Sequence, residues 1–371
     1  MARTTPRLID IAKRAELSVT SISRILSGQR LSEYSADTQA RVRKIAEEMG
    51  WRPNLVVQGM KTGKTHTFGV FVAPYDTFWT VVLYGIHDTL LEAKQVPLVL
   101  WPYALVHPTV EPWHENETPD SASSLVPVPN GLAGQTVGPS GSARRELDRI
   151  NCLEDRRVDA IISWPLHERD AVERLTMLSG RGLPVVTIDH ALPTPAKSIH
   201  IGSDEATTMS NIRAHLEELG HRRVVFMGID RDHEWATRRK AAFLKTWPEF
   251  DASASLTLSG DDDRCQDEIG GFFRDHPEAT AVVAATDHIA RQVIFGARRI
   301  GKRVPEDLSI VGYGNDMYGS GDLPLTTIDQ RPYEVGRTAA EVALKLKKPR
   351  GRSIKISTQL MPRASTRALE H

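Results

Sequence analysis

Apolar residues recur at helical spacing over the first fifty positions. In LIDIAKRA, residues 8–15, Leu8, Ile11, Ala12 and Ala15 fall at i, i+3, i+4 and i+7, the stripe of an amphipathic helix. A second helix over roughly 18–27 gathers Ile22, Ile25 and Leu26 on one face, with Ser18 ahead of it as an N-cap for an orphan backbone N–H. A third is announced by Ser35 as N-cap, and Val42, Ile45, Ala46 and Met49 repeat the stripe. The turn at Glu16-Leu17 between the first two is tight, so the pattern predicts an all-α helix-turn-helix whose second helix suits a major groove. Thr20 and Arg24 share the face opposite the apolar one, with Val19 at its edge and Ser21 nearby. Short hydroxyl side chains can approach base edges closely, and the Arg24 fork can span guanine O6 and N7. A small helical bundle with a merely solvated face fits the same periodicity, and composition alone weighs the two evenly.

From Thr65 onward the period changes. Short apolar runs at 68–74, 96–101, 159–164, 184–189, 223–228, 281–286 and 308–313 alternate with helical stretches such as 205–219. This predicts an α/β module of two parallel sheets, with a ligand site beyond the carboxyl ends of the strands. The residues just past the strands are Tyr75 to Trp79, including Phe78, then Trp164, Asp189-His190, the stretch Asp230 to Arg239 with Trp235, Asp287-His288, and Asn315-Asp316. Aromatic faces with carboxylates, an amide and an arginine suit a small polar ligand that has an apolar ring face. Taken singly, each is more often a helix cap or a core filler than a ligand contact; their convergence on one edge carries the expectation. Residues 102–142 show neither period and contain 7 Pro, 5 Ser and 4 Gly, which reads as a loop insertion.

Charge sharpens this division. The 371 residues carry 47 basic and 47 acidic side chains, a formal charge of zero, yet residues 1–66 hold 12 basic against 6 acidic groups. A basic end on an acidic remainder is the signature of a module that meets phosphates joined to one that does something else. No apolar run approaches the ~18 residues of a membrane span, and the N-terminus lacks the apolar stretch of a secretory signal, so a cytoplasmic protein is expected. Leu369-Glu370-His371 reads as the start of a tag and carries no weight here. Cys152 and Cys265 are isolated, which suggests neither a disulfide framework nor zinc. Asp261-Asp262-Asp263 lacks EF-hand spacing, GYGNDMYGSG at 312–321 does not match a phosphate loop, and no nucleophile elbow is present. No enzymatic activity, metal or cofactor is expected.

The strings LIDIAKRAELSVTSISRIL and SADTQARVRKIAEEMGWRPN closely resemble the headpiece of the LacI/GalR family of bacterial transcription regulators. The resemblance continues in order through LEELGHRRVVFMG (216–228), RRKAAF (238–243), the stretch 281–316, LTTIDQ (325–330) and MPRAST (361–366). It implies a helix-turn-helix over 1–52, a hinge helix over 53–64, and a periplasmic-binding-protein-like module over 65–366. That module would comprise an N-subdomain (about 65–201 and 330–348) and a C-subdomain (about 204–325 and 354–366). It further implies Val19, Thr20 and Arg24 as base readers and Ser18, Ser21, Ser35 and Thr38 as phosphate contacts. Asn54, Val57 and Met60 would belong to the hinge, which is expected to fold on operator DNA, Met60 standing where Leu is usual. Arg239 and Asp287 are implied as the foremost effector contacts, followed by Phe78, Trp79, Asp189 and Asn315.

Three departures stand out: the loop between Gly28 and Ser35 is about two residues longer than usual, Thr286-Asp287 replaces Asn-Asp, and Gly314-Asn315 replaces Asp-Asp. The last removes a carboxylate that usually grips hydroxyls, so nucleoside-like effectors stand beside sugars. The expected protein is a homodimeric repressor on palindromic double-stranded DNA, controlled by a small effector. The alternative is a cytoplasmic small-ligand-binding α/β protein whose helices serve dimerisation.

Overall fold

The computed structural model describes residues 6–53, 59, 63–72, 77–100, 139–165, 168–193, 198–229, 234–249, 254–259, 262–316, 324–346 and 351–369. The chain divides into two units, residues 1–65 and 66–371.

The first unit is three helices, each with identifiable ends. In α1 (Leu8–Ala15) the Asp10 carboxylate accepts the Arg7 backbone N–H at 2.8 Å, and Glu16 stops the helix in a left-handed conformation. α2 (Val19–Ser27) is capped by Ser18, whose hydroxyl oxygen accepts the Ser21 N–H at 3.0 Å. It ends at Gly28, where φ is +75° and a side chain would be strained. α3 (Ala36–Glu48) begins at Ser35, which accepts the Thr38 N–H at 3.2 Å. Ile11, Ala15, Ile22, Ile25 and Val42 form the buried core, with Trp51 packed against it. These are the apolar positions that the 3.6-residue period selects.

The second unit is built on two parallel sheets. The larger has the order β11-β5-β4-β3-β1-β2, from β1 (Thr67–Phe71), β2 (Val96–Val99), β3 (Ala160–Ser163), β4 (Val185–Ile188), β5 (Ser198–Ser203) and β11 (Arg352–Ile356). The smaller has the order β7-β6-β8-β9, from β6 (Val224–Ile229), β7 (Ser255–Leu258), β8 (Ala281–Ala284) and β9 (Ser309–Val311). A two-stranded antiparallel ribbon pairs β10 (Thr327–Asp329) with β12 (Gln359–Met361). β3, β4 and β8 are buried throughout, as strands covered on both faces must be.

Helices follow the strands: α4 (Thr77–Glu92), α5 (Pro139–Asp155), α6 (Glu168–Gly180), α7 (Glu205–Glu218), α8 (Glu234–Thr246), α9 (Asp262–Asp275), α10 (Asp287–Arg299) and α11 (Pro332–Lys345). α4 and α11 cross at two glycines: a Cβ on Gly85 would lie 2.3 Å from the Tyr333 carbonyl oxygen, and one on Gly336 2.0 Å from that of Val82. Only a residue without a side chain lets the backbones approach so closely. Among the described residues, no helix is long and apolar enough to cross a membrane.

Two sequence expectations need correction. The aperiodic stretch 102–142 does not run to its end without structure, because α5 starts at Pro139. Residues 101–138 lie outside the described residues. The second concerns the start of 354–366, given to the C-subdomain: residues 354–356 belong to β11 (Arg352–Ile356), which pairs in parallel with β5 of the larger sheet, while Ser365 bonds Ile310 of the smaller one. The strand β11 lies some 150 positions from its partner in sequence, and its alternately exposed side chains mark an edge strand that no apolar run announces.

Candidate nucleic-acid interface and ligand cleft

In the first unit, α2 presents the proposed reading face. Ile22 and Ile25 are buried, whereas Thr20 is exposed, Arg24 is half-buried, and Val19 is 42% exposed although apolar. An exposed valine at the first turn of a helix has no folding reason, and it is the kind of group that packs on a thymine methyl. The Ser18 and Ser21 hydroxyls lie 2.9 Å apart, and those of Ser35 and Thr38 2.8 Å apart, so each pair crowns a helix N-terminus. Backbone N–H groups and the helix dipole at such ends favour anions. The hydroxyls are already engaged in capping, so a phosphate would share them. Of the expected hinge residues, Asn54, Val57 and Met60 lie outside the described residues. Gly63 donates to the Gly59 carbonyl at 2.8 Å, and a Cβ on Gly59 would meet the Lys64 carbonyl oxygen at 2.9 Å.

In the second unit, the strand ends converge. Trp79 stacks on Trp164 with centroids 4.0 Å apart, and Phe78 meets Trp79 edge-on at 4.9 Å, giving one aromatic wall. The Thr77 hydroxyl, beside that wall, donates to Asp316 at 3.2 Å, linking the start of α4 to the loop after β9. Asp287 in turn accepts the Asp316 N–H at 2.7 Å and the Thr327 hydroxyl at 2.5 Å. A Cβ on Gly312 would lie 2.2 Å from the Asp287 carboxylate, so glycine is required there. Thr286, where the family resemblance leads one to expect Asn, accepts the Ile289 N–H at 3.1 Å and caps α10. Asn315 sits at φ +55° and its side-chain oxygen accepts Arg363 at 2.6 Å.

Arg239 and Asp287 were expected to be the foremost ligand contacts. Both are 3% exposed and already satisfied by protein groups. The Arg239 guanidinium bonds Glu205 at 3.3 Å, the Ala285 carbonyl at 2.5 Å and Gln330 at 3.4 Å. It lies 3.4 Å over the Tyr313 ring and 5.0 Å from that of Trp235. The Tyr313 hydroxyl donates to the other Glu205 oxygen at 2.9 Å. Arg239 and Asp287 are therefore held in place by the protein's own groups. Glu205, Tyr313 and Gln330 complete the Arg239 cluster, and the sequence does not single them out. A glutamate in the first turn of a helix reads simply as a dipole partner, and a glutamine after a strand gives no signal at all.

Asp189 anchors a second cluster. The Arg238 guanidinium donates to the Asp189 carbonyl at 2.9 Å and to Glu234 at 2.7 Å, and lies 3.6 Å from the Asp189 carboxylate. Glu234 also accepts the Ala191 N–H at 2.9 Å. Bonds from α8 thus tie the two sheets' loops together. Burial pushes the Asp189 carboxyl up to about 6, against the pull of Arg238 and Arg239. Burial, with Arg238 adding to it, pushes neighbouring His200 down to about 4. Burial also raises Asp287 above the usual carboxylate range. Among the described residues, no cluster of three or more His, Cys, Asp or Glu is placed to hold a metal.

A family model described as "Bacterial regulatory proteins, lacI family" matches residues 7–54, and one described as "Periplasmic binding protein-like domain" matches 214–366. The chain is 26% identical to the HTH-type transcriptional repressor CytR of Escherichia coli over 385 residues, covering 99% of this chain and 98% of that protein. It is 24% identical to the HTH-type transcriptional repressor PurR of Aliivibrio fischeri over 373 residues, covering 97% and 96%. Among solved structures, the lac repressor dimer bound to operator and the anti-inducer ONPF superposes with a TM-score of 0.73 at 20% identity, over 98% of this chain and all of that one. A complex of the transcriptional regulator CelR with cellobiose superposes with a TM-score of 0.62 at 20% identity, over 97% and 99%.

Proposed function

The chain belongs to the LacI family of bacterial regulatory proteins, and from that premise we propose that it is a cytoplasmic, homodimeric transcriptional repressor. It binds palindromic double-stranded operator DNA through α2, and a small sugar-like or nucleoside-like effector controls that binding. The observation that carries this reading is the α2 face: a Ser-capped helix with Val19, Thr20 and Arg24 turned away from a complete core. The repressors among its relatives, and the operator-bound and cellobiose-bound regulators with the same fold, support it. Val19, Thr20 and Arg24 read bases; Ser18, Ser21, Ser35 and Thr38 position phosphates; Asn54, Val57 and Met60 act at the operator centre. This division follows the general one in which phosphate contacts orient and base contacts specify.

The effector lies between the two sheets, its ring against Trp79, Trp164, Phe78 and Trp235, its polar groups toward Asp189, Asn315 and the floor set by Arg239 and Asp287. The protein's part is binding, not catalysis. Closure is the means of control: the Arg238–Asp189 and Thr77–Asp316 bonds join the loops of one sheet to those of the other, and a ligand that favours the joined arrangement shifts the balance between two states. Such a shift changes operator affinity only if the ligand binds the two states unequally. Tyr84, Leu91 and Tyr333, exposed apolar groups on α4 and α11, support self-association.

A panel of sugars and nucleosides screened for a rise in melting temperature tests this reading, since a ligand at a hundred times its Kd stabilises by about 2.7 kcal/mol. The active compound should then alter operator binding, and Trp164→Ala should weaken its effect while leaving operator affinity unchanged. A compound that binds without changing operator affinity would contradict the proposed control.

A further inference from the structure

The loop between α2 and α3 is longer than the family pattern leads one to expect, and it is ordered. Arg30 takes a left-handed conformation at φ +49° and starts a 3₁₀ turn, Leu31–Glu33. The turn is closed by Glu33 N–H to the Arg30 carbonyl at 3.0 Å and Tyr34 N–H to the Leu31 carbonyl at 3.1 Å. From α3, the Gln39 amide donates to the carbonyls of Leu31 and Tyr34 at 2.9 and 3.0 Å, clamping the loop at both ends of the turn. Glu33 is held inside this clamp. One of its carboxylate oxygens accepts Nη1 of Arg24 at 3.1 Å, and the other accepts Nη1 of Arg30 at 3.3 Å.

Stability does not account for the arrangement. Both side chains of the Arg24–Glu33 pair are only partly buried, with 36% and 43% of their surface exposed, and pairs so open to solvent contribute little to stability. Its consequence lies in what Arg24 can still bind. With Nη1 occupied, the Nε and Nη2 donors remain as one edge of the fork, which suffices for the paired acceptors O6 and N7 of guanine. The adjacent carboxylate also offsets the charge through which a free arginine would hold any phosphate, a contact without sequence information. Glu33 is one of only six acidic residues in a segment that carries twelve basic ones, and it stands against the arginine of the recognition helix.

We propose that Glu33 is a specificity-determining residue of the DNA interface, holding and neutralising Arg24 so that the arginine answers to a guanine edge and not to the phosphate backbone. The proposal rests on the reading of Arg24 as a base reader. The test uses the full chain, a palindromic duplex selected from a randomised pool, single-base variants of that duplex, and a random-sequence duplex, each titrated across salt. Glu33→Gln should raise affinity for the random duplex several-fold and steepen its log K against log salt slope by about 1 per subunit, as one more phosphate is neutralised. Preference at the base pair read by Arg24 should narrow roughly tenfold. Glu33→Asp, one methylene short of Arg24, should narrow the base preference in the same way while keeping the charge, and in an Arg24→Ala background neither change should alter base preference.

A Glu33→Gln protein whose base preference is unaltered would overturn the proposal. So would an affinity gain of the same size with and without Arg24, which would make Glu33 a diffuse charge only. If Arg24→Ala by itself leaves every base preference intact, the assignment of Arg24 has failed, and the role proposed for Glu33 fails with it.

Discussion

Arg239 shows how a single side chain defines the second unit. A guanidinium 3% exposed is tolerable only because Glu205, the Ala285 carbonyl, Gln330 and the faces of Tyr313 and Trp235 replace the water it gave up. Removing one partner leaves the other charge buried and uncompensated. Glu205→Ala should therefore cost about 3–5 kcal/mol, read as a large fall in melting temperature, although Glu205 touches no ligand in this account. A fall no larger than that of an exposed glutamate variant such as Glu341→Ala would show that the pair is dispensable. The sequence exposes Arg239 through its RRKAAF setting, but not Glu205, because the partners lie 34 positions apart and meet only when α7 and α8 pack. Arg24 and Glu33 pose the same difficulty over nine positions, since their meeting depends on the left-handed backbone at Arg30.

At the scale of elements, caps and periods are readable wherever the cause is local. Ser18, Gly28 and Ser35 bound the helices of the first unit as their side-chain chemistry requires, and the buried strands β3, β4 and β8 stand out as apolar runs. β5, with a histidine, a glycine and two serines in six residues, shows no apolar run, and the exposed β11 is not legible because it exists only by pairing with β5 across distant sequence. The α4–α11 crossing is equally hidden, and it gives a direct prediction. Gly336→Ala drives a methyl against the Val82 carbonyl and should destabilise the second unit by about 1–3 kcal/mol, seen as a lower melting temperature; an unchanged one would mean the helices separate without cost.

The Asp189 cluster gives a second element-scale prediction. Asp189 has a folded value of about 6 against the usual 3.8, so the folded state holds the extra proton and stability falls as pH rises across that window. His200 has a folded value of about 4 against 6.5, so the unfolded state holds the extra proton and stability rises with pH across nearly the same window. The two slopes oppose each other in the wild-type chain. Relative to it, Asp189→Asn should gain stability more steeply as pH rises from about 4 to 6, and His200→Gln should lose it from about 4 to 6.5. Melting temperatures across this range, parallel for all three proteins, would refute the assignment.

On the scale of the whole molecule, a formal charge of zero conceals a basic segment of three helices followed by an acidic α/β unit. The first carries the exposed Val19, Thr20 and Arg24 face; in the second, Trp79 and Trp164 stack beyond strands of the larger sheet, and the buried Arg239–Glu205–Tyr313 group joins elements of both sheets. The central claim is that the chain recognises a particular DNA sequence, and selection from randomised duplexes with the full chain tests it most directly, followed by salt-titrated affinities for the recovered and random sequences. A two-fold symmetric consensus is expected, bound at least ~10³-fold more tightly than random duplex. For each phosphate neutralised, log K should fall with log salt by about 0.9. A pool that yields no consensus, with equal affinity for all duplexes, would contradict it.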